Sequence, residues 1–128
     1  MAGISKGAMG EVVAARFLRS KGYTILSSNY RCRQGEIDII AALGDYIIFA
    51  EVKTRGQNSP YSPREAVTMQ KQRRLIQTAS IYLSKYPTAL QPRFDVIEVV
   101  TTSDSAFKVV EVNHVIGAYE AGDLSKAF

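Results

Sequence analysis

Residues 35–53, GEIDIIAALGDYIIFAEVK, most strongly constrain what this chain can fold into. Two apolar runs of nearly equal length flank Gly44-Asp45, and glycine at the first central position is typical of a two-residue type II′ hairpin turn. We therefore predict a β-hairpin with strands at 36–43 and 46–54.

The predicted register gathers acidic residues at the open end of this hairpin. Counting outward from the turn sets Asp38 opposite Glu51 and Glu36 opposite Lys53, all on one face. The other face then carries apolar side chains throughout: Ile37, Ile39, Ala41, Ile48, Ala50 and Val52. Like charges directly opposite each other destabilise a sheet, so the acidic pair needs compensation.

Two carboxylates at cross-strand distance are suited to a hard cation. Mg²⁺ and Mn²⁺ prefer oxygen ligands and keep several of their waters, so Asp38 and Glu51 would supply much of the protein's share. The alternative is an ordinary solvent-exposed face, because Glu-Val-Lys is a common strand tripeptide. A one-residue slip of the turn would also misalign the acidic pair.

The rest of the chain predicts two helices and three further strands. Apolar residues recur at helical spacing over 9–20. A second helix is predicted to begin at Ser62-Pro63-Arg64-Glu65, which is typical of a capping box with a first-turn proline, and to end before Pro87. The further strands are predicted at 23–28, 93–101 and 107–112. The order α-β-β-β-α-β-β predicts a mixed α/β fold, and 128 residues suit one domain spanning 1–128.

The composition excludes several classes of protein. With 46% hydrophobic and 22% charged residues the chain is typical of globular proteins. No apolar run approaches the roughly 20 residues that cross a bilayer, and the N-terminus lacks the apolar run of a signal peptide. The single cysteine, Cys32, allows no internal disulfide, and the single histidine, His114, cannot build a zinc cluster. We expect a cytoplasmic protein without a membrane partner.

The basic residues are clustered along the chain. The net charge is +4, and the stretch from Arg16 to Arg33 carries five basic residues and no acidic one. The stretch from Arg64 to Arg74 carries four basic residues and one acidic residue. Such clustering is expected of nucleic-acid-binding proteins, although solvated basic faces are common.

The open end of the hairpin resembles the PD-(D/E)xK nuclease superfamily. The core motif of that superfamily is an acid on one strand and Glu/Asp-x-Lys on the next, which Asp38 and Glu51-Val52-Lys53 match. Ile37 stands in place of the proline, which is a frequent variation.

The resemblance extends along most of the chain to the YraN-like family of predicted bacterial endonucleases. The matching motifs are G-x-x-G-E at 7–11, N-Y-R at 29–31, G-E-I-D-I-I at 35–40, F-x-E-V-K-T-R at 49–55, Lys71, and R-F-D-V at 93–96. This resemblance implies a restriction-endonuclease-like core, in which helices flank a mixed central sheet of about five strands. It also implies a relation to archaeal Holliday junction resolvases, whose dimers make a homodimer conceivable here.

The same resemblance implies a metal-dependent endonuclease that hydrolyses phosphodiester bonds. Asp38 and Glu51 would ligate Mg²⁺ or Mn²⁺, and Glu11 from the first helix would join them as a third catalytic acid. The alternative for Glu11 is an exposed first-turn glutamate favoured by the helix dipole. We assign Lys53 to electrostatics and positioning, because the adjacent carboxylates argue against a depressed pKa.

Nucleic acid is the expected partner, with DNA favoured over RNA. Basic residues expected to contact its phosphates are Arg31, Arg33, Arg55, Lys71, Arg73 and Arg74. No pattern predicts base reading, so we expect selectivity for branched or flapped structures. Two alternatives stay open: a non-catalytic nucleic-acid-binding or scaffold domain that keeps the nuclease fold, and a protein-interaction module.

Overall fold

Two helices and five strands follow one another in the order that the sequence predicts. The structure is a computed structural model, and it describes residues 5–59, 67–104 and 106–121. The elements are α1 (Lys6–Ser20), β1 (Thr24–Cys32), β2 (Gly35–Leu43), β3 (Tyr46–Gly56), α2 (Met69–Lys85), β4 (Gln91–Thr101) and β5 (Val109–Tyr119). This α-β-β-β-α-β-β order confirms the predicted mixed α/β class.

The five strands form one mixed sheet in the order β1-β2-β3-β4-β5. Strands β3 and β4 are parallel, and every other neighbouring pair is antiparallel. A parallel pair requires a crossover connection, and α2 supplies it between β3 and β4.

One helix covers each face of the central strands. The cluster that joins α1 to the sheet includes Ala14, Leu18, Ile39, Ile48 and Ala50. The cluster that joins α2 to the other face includes Leu75, Ala79, Ile40, Phe49 and Phe94. The central strands are therefore buried on both sides, which explains their nearly continuous apolar sequences.

The β2–β3 hairpin has the predicted turn, but its predicted register holds only as far as the Ile39–Ala50 pair, so Asp38 and Glu51 are not paired in the ladder. Gly44 has a φ of +57°, and Asn29 is the one described non-glycine residue with positive φ, so Asp45 fits the second position of a type II′ turn. Pairing runs from Leu43–Tyr46 to Ile39–Ala50. Beyond that pair the strands part, and the Val52 N–H donates to Asp38 Oδ2 at 2.8 Å instead of to a strand carbonyl.

The prediction of one apolar and one polar face on this hairpin is wrong. Phe49 is buried against α2, on the face predicted to be polar. Ile37 also lies in the α2 cluster, whereas Ile39 lies in the α1 cluster. The alternation breaks at Asp38, beside the position in β1 where Asn29 has a φ of +56°. Helices on both faces leave the acidic residues at the end of the strands rather than along one side.

Both helices begin where a side-chain cap is available. Ser5 Oγ accepts the Ala8 N–H at 3.1 Å, so α1 begins at Lys6, three residues before the predicted start. Thr68 Oγ1 accepts the Lys71 N–H at 3.2 Å, so α2 begins at Met69, six residues later than predicted. The predicted capping box at 62–65 lies outside the described residues. In the part of the chain that the structure describes, no helix is long and apolar enough to cross a membrane.

The outer strands are longer than predicted, and β5 continues to Tyr119 instead of ending near Val112. Asn113 and His114 interrupt its apolar pattern, yet their side chains bond to buried carboxylates of β4. A strand that contains such inward-facing polar residues lacks a regular apolar pattern, so it is not recognised from hydropathy.

Glycines allow both helices to approach the sheet closely. A Cβ on Gly10 would collide with the hydroxyl of Thr54 on β3, so α1 can take its position only with glycine there. A Cβ on Gly35 would lie 3.0 Å from Thr78 Oγ1 on α2. The first contact places the next residue of α1, Glu11, beside the end of the hairpin.

Candidate functional site

A cleft with a volume of about 460 Å³ opens at the carboxyl ends of the parallel strands β3 and β4. We call it the acidic cleft. Its lining includes Lys6, Glu11, Asp38, Glu51, Lys53 and Arg55, together with the segment 101–103 that follows β4. The carboxyl ends of parallel strands are a frequent position for ligand sites in α/β proteins.

Asp38 is buried, and among the described residues no basic side chain forms an ion pair with it. Its residue is 8% exposed, and Oδ2 accepts the Val52 N–H. Burial raises the pKa of Asp38 to about 8, and the negative charges of Glu51 and Glu11 contribute in the same direction. The Val52 N–H opposes this shift without cancelling it. A cation placed beside Asp38 would favour its ionised form.

Glu51 stands between two lysines from different elements. Its Oε1 lies 2.6 Å from Lys71 Nζ of α2 and 3.3 Å from Lys53 Nζ of its own strand. One carboxylate oxygen therefore receives two ammonium groups. The shorter contact belongs to Lys71, which the sequence places far from the hairpin.

This arrangement corrects the prediction for the pKa of Lys53. Burial and the neighbouring Lys71 lower that pKa, although the charge of Glu51 acts in the opposite direction. For Lys71, burial lowers the pKa but the ion pair with Glu51 outweighs it, and the pKa is raised. Because Lys71 forms the shorter ion pair with Glu51, the pKa of Lys53 is the one that is lowered.

Glu11 lies on the same cleft as Asp38 and Glu51. Because α1 begins at Lys6, Glu11 falls in the second turn of the helix, and its residue is half-buried. Its carboxyl is close enough to Asp38 to raise the pKa of that group. The alternative of an exposed first-turn glutamate is therefore wrong.

The donor set fits a cation site that water and substrate complete. Asp38 and Glu51 offer carboxylate oxygens, and Mg²⁺ is usually bound through one or two carboxylates plus substrate phosphates. Within residues 5–59, 67–104 and 106–121, no group of three or more His, Cys, Asp or Glu side chains is arranged to hold a metal by itself. The carboxylates of Asp38 and Glu51 therefore fit a hard cation, and Glu11 lies on the same cleft.

Arg55 is committed to a partner inside the protein. Its Nε and Nη2 donate to Glu98 at 2.7 and 3.2 Å, and its Nη1 donates to the Gly56 carbonyl at 3.1 Å. Asn113 also donates to Glu98, at 2.9 Å. These bonds brace the end of β3 against β4 and β5, so Arg55 has little capacity left for a phosphate.

Glu36 and Arg31 form an ion pair at the open end of the hairpin. Arg31 Nε lies 2.9 Å from Glu36 Oε2, and both side chains are exposed. The predicted position of Glu36 opposite Lys53 is wrong, because β2 has separated from β3 at this point and pairs with β1.

A second cleft, with a volume of about 420 Å³, lies between the start of β2 and α2. We call it the α2 cleft. Its lining includes Glu36, Glu51, Lys71 and Arg74. Of the six basic residues expected to bind phosphates, the structure thus brings Lys71 and Arg74 to one cleft. The others, which are Arg31, Arg33, Arg55 and Arg73, lie outside it.

Some lining and supporting residues were missed from the sequence. Lys6 lines the acidic cleft and directly precedes the G-x-x-G-E motif, a position that could have drawn attention to it. Glu98 is 2% exposed within the apolar run VIEVV, and a lone acid in such a run is a signal for a buried partner. Nothing in the sequence pattern marks the segment 101–103.

Comparisons with known proteins agree on one family. Residues 10–99 match the profile of the uncharacterised protein family UPF0102. A UPF0102 protein of Caldanaerobacter subterraneus subsp. tengcongensis is 41% identical over 114 residues, which cover 88% of this chain and 93% of that protein. One from Symbiobacterium thermophilum is 47% identical over 103 residues, covering 80% and 87%. One from Chlorobaculum tepidum is 41% identical over 120 residues, covering 91% and 93%. The chain therefore belongs to the UPF0102 family, the YraN-like group that its motifs predict.

Proposed function

We propose that this protein is a metal-dependent endonuclease of the PD-(D/E)xK type, which hydrolyses phosphodiester bonds of DNA and selects branched or flapped substrates. The observation that carries the proposal is the burial of Asp38 beside Glu51 and Glu11, in a cleft that also holds Lys53. Buried acids with strongly shifted pKa values are typical of catalytic sites.

Asp38 and Glu51 hold the cation in this proposal, and the Val52 N–H fixes the orientation of the Asp38 carboxylate. When bound, Mg²⁺ or Mn²⁺ supplies charge stabilisation at the scissile phosphate and activation of water. Lys53 donates hydrogen bonds to the phosphate as negative charge develops. Because the pKa of Lys53 is lowered, its amine also exchanges protons with water more readily than an ordinary lysine.

The test compares cleavage of branched, single-stranded and duplex DNA, and of RNA, with Mg²⁺ or Mn²⁺. Asp38→Asn and Lys53→Ala are expected to lower the rate by at least about 100-fold, since each removes a group that acts on the transition state. Asp45→Asn is the matched control, because Asp45 is an exposed acid in the turn of the same hairpin. Its rate should stay close to that of the wild type.

Cleavage that survives in Asp38→Asn would indicate a contaminating nuclease and overturn the proposal. Faster cleavage of RNA than of DNA would show that the substrate is RNA and not the DNA proposed here. The proposal extends to a homodimer, as in the junction resolvases that the motifs resemble, and sedimentation with and without a branched substrate tests that part separately.

A second candidate is a nucleic-acid-binding domain without catalysis. The observation that favours it is the pair of lysines on Glu51, which neutralises this carboxylate without any cation. This candidate predicts salt-dependent binding, no cleavage with any metal and no calorimetric signal for Mn²⁺. A Mn²⁺ isotherm that is lost in Glu51→Ala would exclude it.

A further inference from the structure

The two clefts meet at one residue. Glu51 lines both the acidic cleft and the α2 cleft, and it is the one described residue that they share. The Lys71 side chain of the α2 cleft reaches Glu51 at 2.6 Å. A chain-like ligand that occupies both clefts would therefore pass the Glu51–Lys71 ion pair.

The α2 cleft has the chemistry of an anion site. Lys71 and Arg74 are three residues apart on α2, so their side chains lie on the same side of the helix. The acids that line this cleft already have basic partners: Glu36 pairs with Arg31, and Glu51 pairs with Lys71 and Lys53. Among the ion pairs of the described residues, none involves Arg74.

We propose that the α2 cleft is a phosphate subsite for the substrate strand, with Arg74 and Lys71 as its contacts. This inference rests on the proposed function and specifies the substrate class: a nucleic-acid strand that continues on both sides of the bond to be cut. The scissile phosphate lies in the acidic cleft, and a neighbouring phosphate of the same strand lies in the α2 cleft. The protein therefore acts on internal phosphodiester bonds and has low affinity for a terminal nucleotide.

Arg73 provides a matched control on the same helix. It is exposed and adjacent to Arg74 in sequence, yet it does not line the α2 cleft, because successive residues of a helix point about 100° apart. The two arginines contribute the same charge at nearly the same place. A larger loss of affinity on substitution of Arg74 than of Arg73 would show that the position in the α2 cleft matters. Equal losses would reflect only the change in net charge.

The first measurement is the binding of a fluorescent single-stranded oligonucleotide in EDTA, which prevents cleavage, over a range of salt concentrations. Arg74→Gln is expected to weaken binding by about tenfold and to lower the slope of log K against log salt by about 0.7. Arg73→Gln removes the same charge outside the α2 cleft, so it should weaken binding clearly less than Arg74→Gln. Arg74→Lys should restore part of the loss, and melting curves of all variants should match because both arginines are exposed.

Equal losses in Arg74→Gln and Arg73→Gln would overturn the subsite. A second measurement places single uncharged methylphosphonate linkages along the oligonucleotide. At one position, the methylphosphonate should lower the affinity of the wild type but not that of Arg74→Gln. If every position lowers the affinity of both proteins equally, the subsite is contradicted.

Failure of the subsite and failure of the nuclease proposal give different results. If binding depends on Arg74 but no metal supports cleavage, the nuclease proposal is contradicted and the phosphate subsite is supported. Cleavage that is equally efficient in the Arg73 and Arg74 variants would support the nuclease proposal and contradict the phosphate subsite.

Discussion

Asp38 and Asp95 are both buried in the central strands, but their surroundings differ. Asp95 is 0% exposed, and Arg93 donates to its two oxygens at 2.9 Å each. The Gly117 N–H donates at 3.0 Å, and His114 Nε2 lies 2.7 Å away. Within the described residues, Asp38 has the Val52 N–H and two neighbouring acids.

The pKa values of these two aspartates shift in opposite directions. Burial acts to raise both, but His114, Arg93 and the Gly117 N–H together leave the pKa of Asp95 lowered. The pKa of Asp38 is raised to about 8. Burial alone therefore does not identify a functional acid. Asp95 is bonded to partners within the fold, whereas Asp38 has no positive partner among the described residues and is suited to an external cation.

Removal of the Asp95 carboxylate should have the largest effect on stability. Asp95→Ala leaves the half-buried Arg93 guanidinium without its carboxylate partner, which we expect to cost about 3–5 kcal/mol of unfolding free energy. Urea denaturation of the purified variant measures this loss. A loss below about 1 kcal/mol would show that the Arg93–Asp95 network contributes little.

Movement of α1 away from β3 should have the next largest effect. Gly10→Ala forces a methyl group against Thr54, at an expected cost of about 1–3 kcal/mol, and draws Glu11 away from Asp38. Gly7→Ala is the control, because nothing lies within 4 Å of the added methyl group. It should stabilise the helix by about 0.5–1 kcal/mol, and thermal melting would reveal the opposite signs.

Neutralisation of Asp38 should change stability less and in the favourable direction. In EDTA and at a pH above about 8, where Asp38 is ionised, Asp38→Asn removes a buried charge that has acidic neighbours, so we expect a gain of about 1 kcal/mol. If the proposed cation site exists, Mg²⁺ should raise the melting temperature of the wild type, and this rise should be absent in Asp38→Asn. Destabilisation by Asp38→Asn would mean that Asp38 is a structural acid like Asp95.

The smallest effect is a pH dependence that belongs to Asp95. Its pKa is lowered in the folded state, so its contribution to stability is present above the unfolded value of about 3.9 and is lost as the pH falls through the folded value. The stability difference between the wild type and Asp95→Asn should therefore narrow below about pH 4. Denaturation curves at several pH values check this, and a gap that stays constant would contradict it.

Local patterns predicted the parts of the site that local structure determines. A two-residue turn sets the hairpin register, so Asp38 and Glu51 were found from the sequence, and the family motifs added Glu11. The contact between Lys71 and Glu51 was not predicted, because it depends on how α2 crosses over the sheet. The pKa of Lys53 was misjudged for the same reason.

The network around β4 escaped prediction for a related reason. R-F-D-V was recognised as a family motif, but its Arg93 and Asp95 bond to each other and to residues of β5. The Arg55–Glu98 pair likewise joins two strands that α2 separates in sequence. Pairing of this kind has no local periodicity, so the structure was needed to distinguish a bracing arginine from one that is available for phosphate.

The parallel pairing of β3 with β4, which runs from Tyr46–Gln91 to Gly56–Thr101, has a consequence for folding. The β1–β2–β3 meander uses contacts between neighbours in sequence, whereas β3 and β4 meet only after α2 has been made. Non-local contacts of this kind form slowly, so we expect the acidic cleft to be assembled late. A chain still leaving the ribosome would carry Asp38 and Glu51 but lack the wall that β4 and the segment 101–103 provide. The proposed nuclease activity would then begin only after β4 and the segment 101–103 have been synthesised and have joined the sheet.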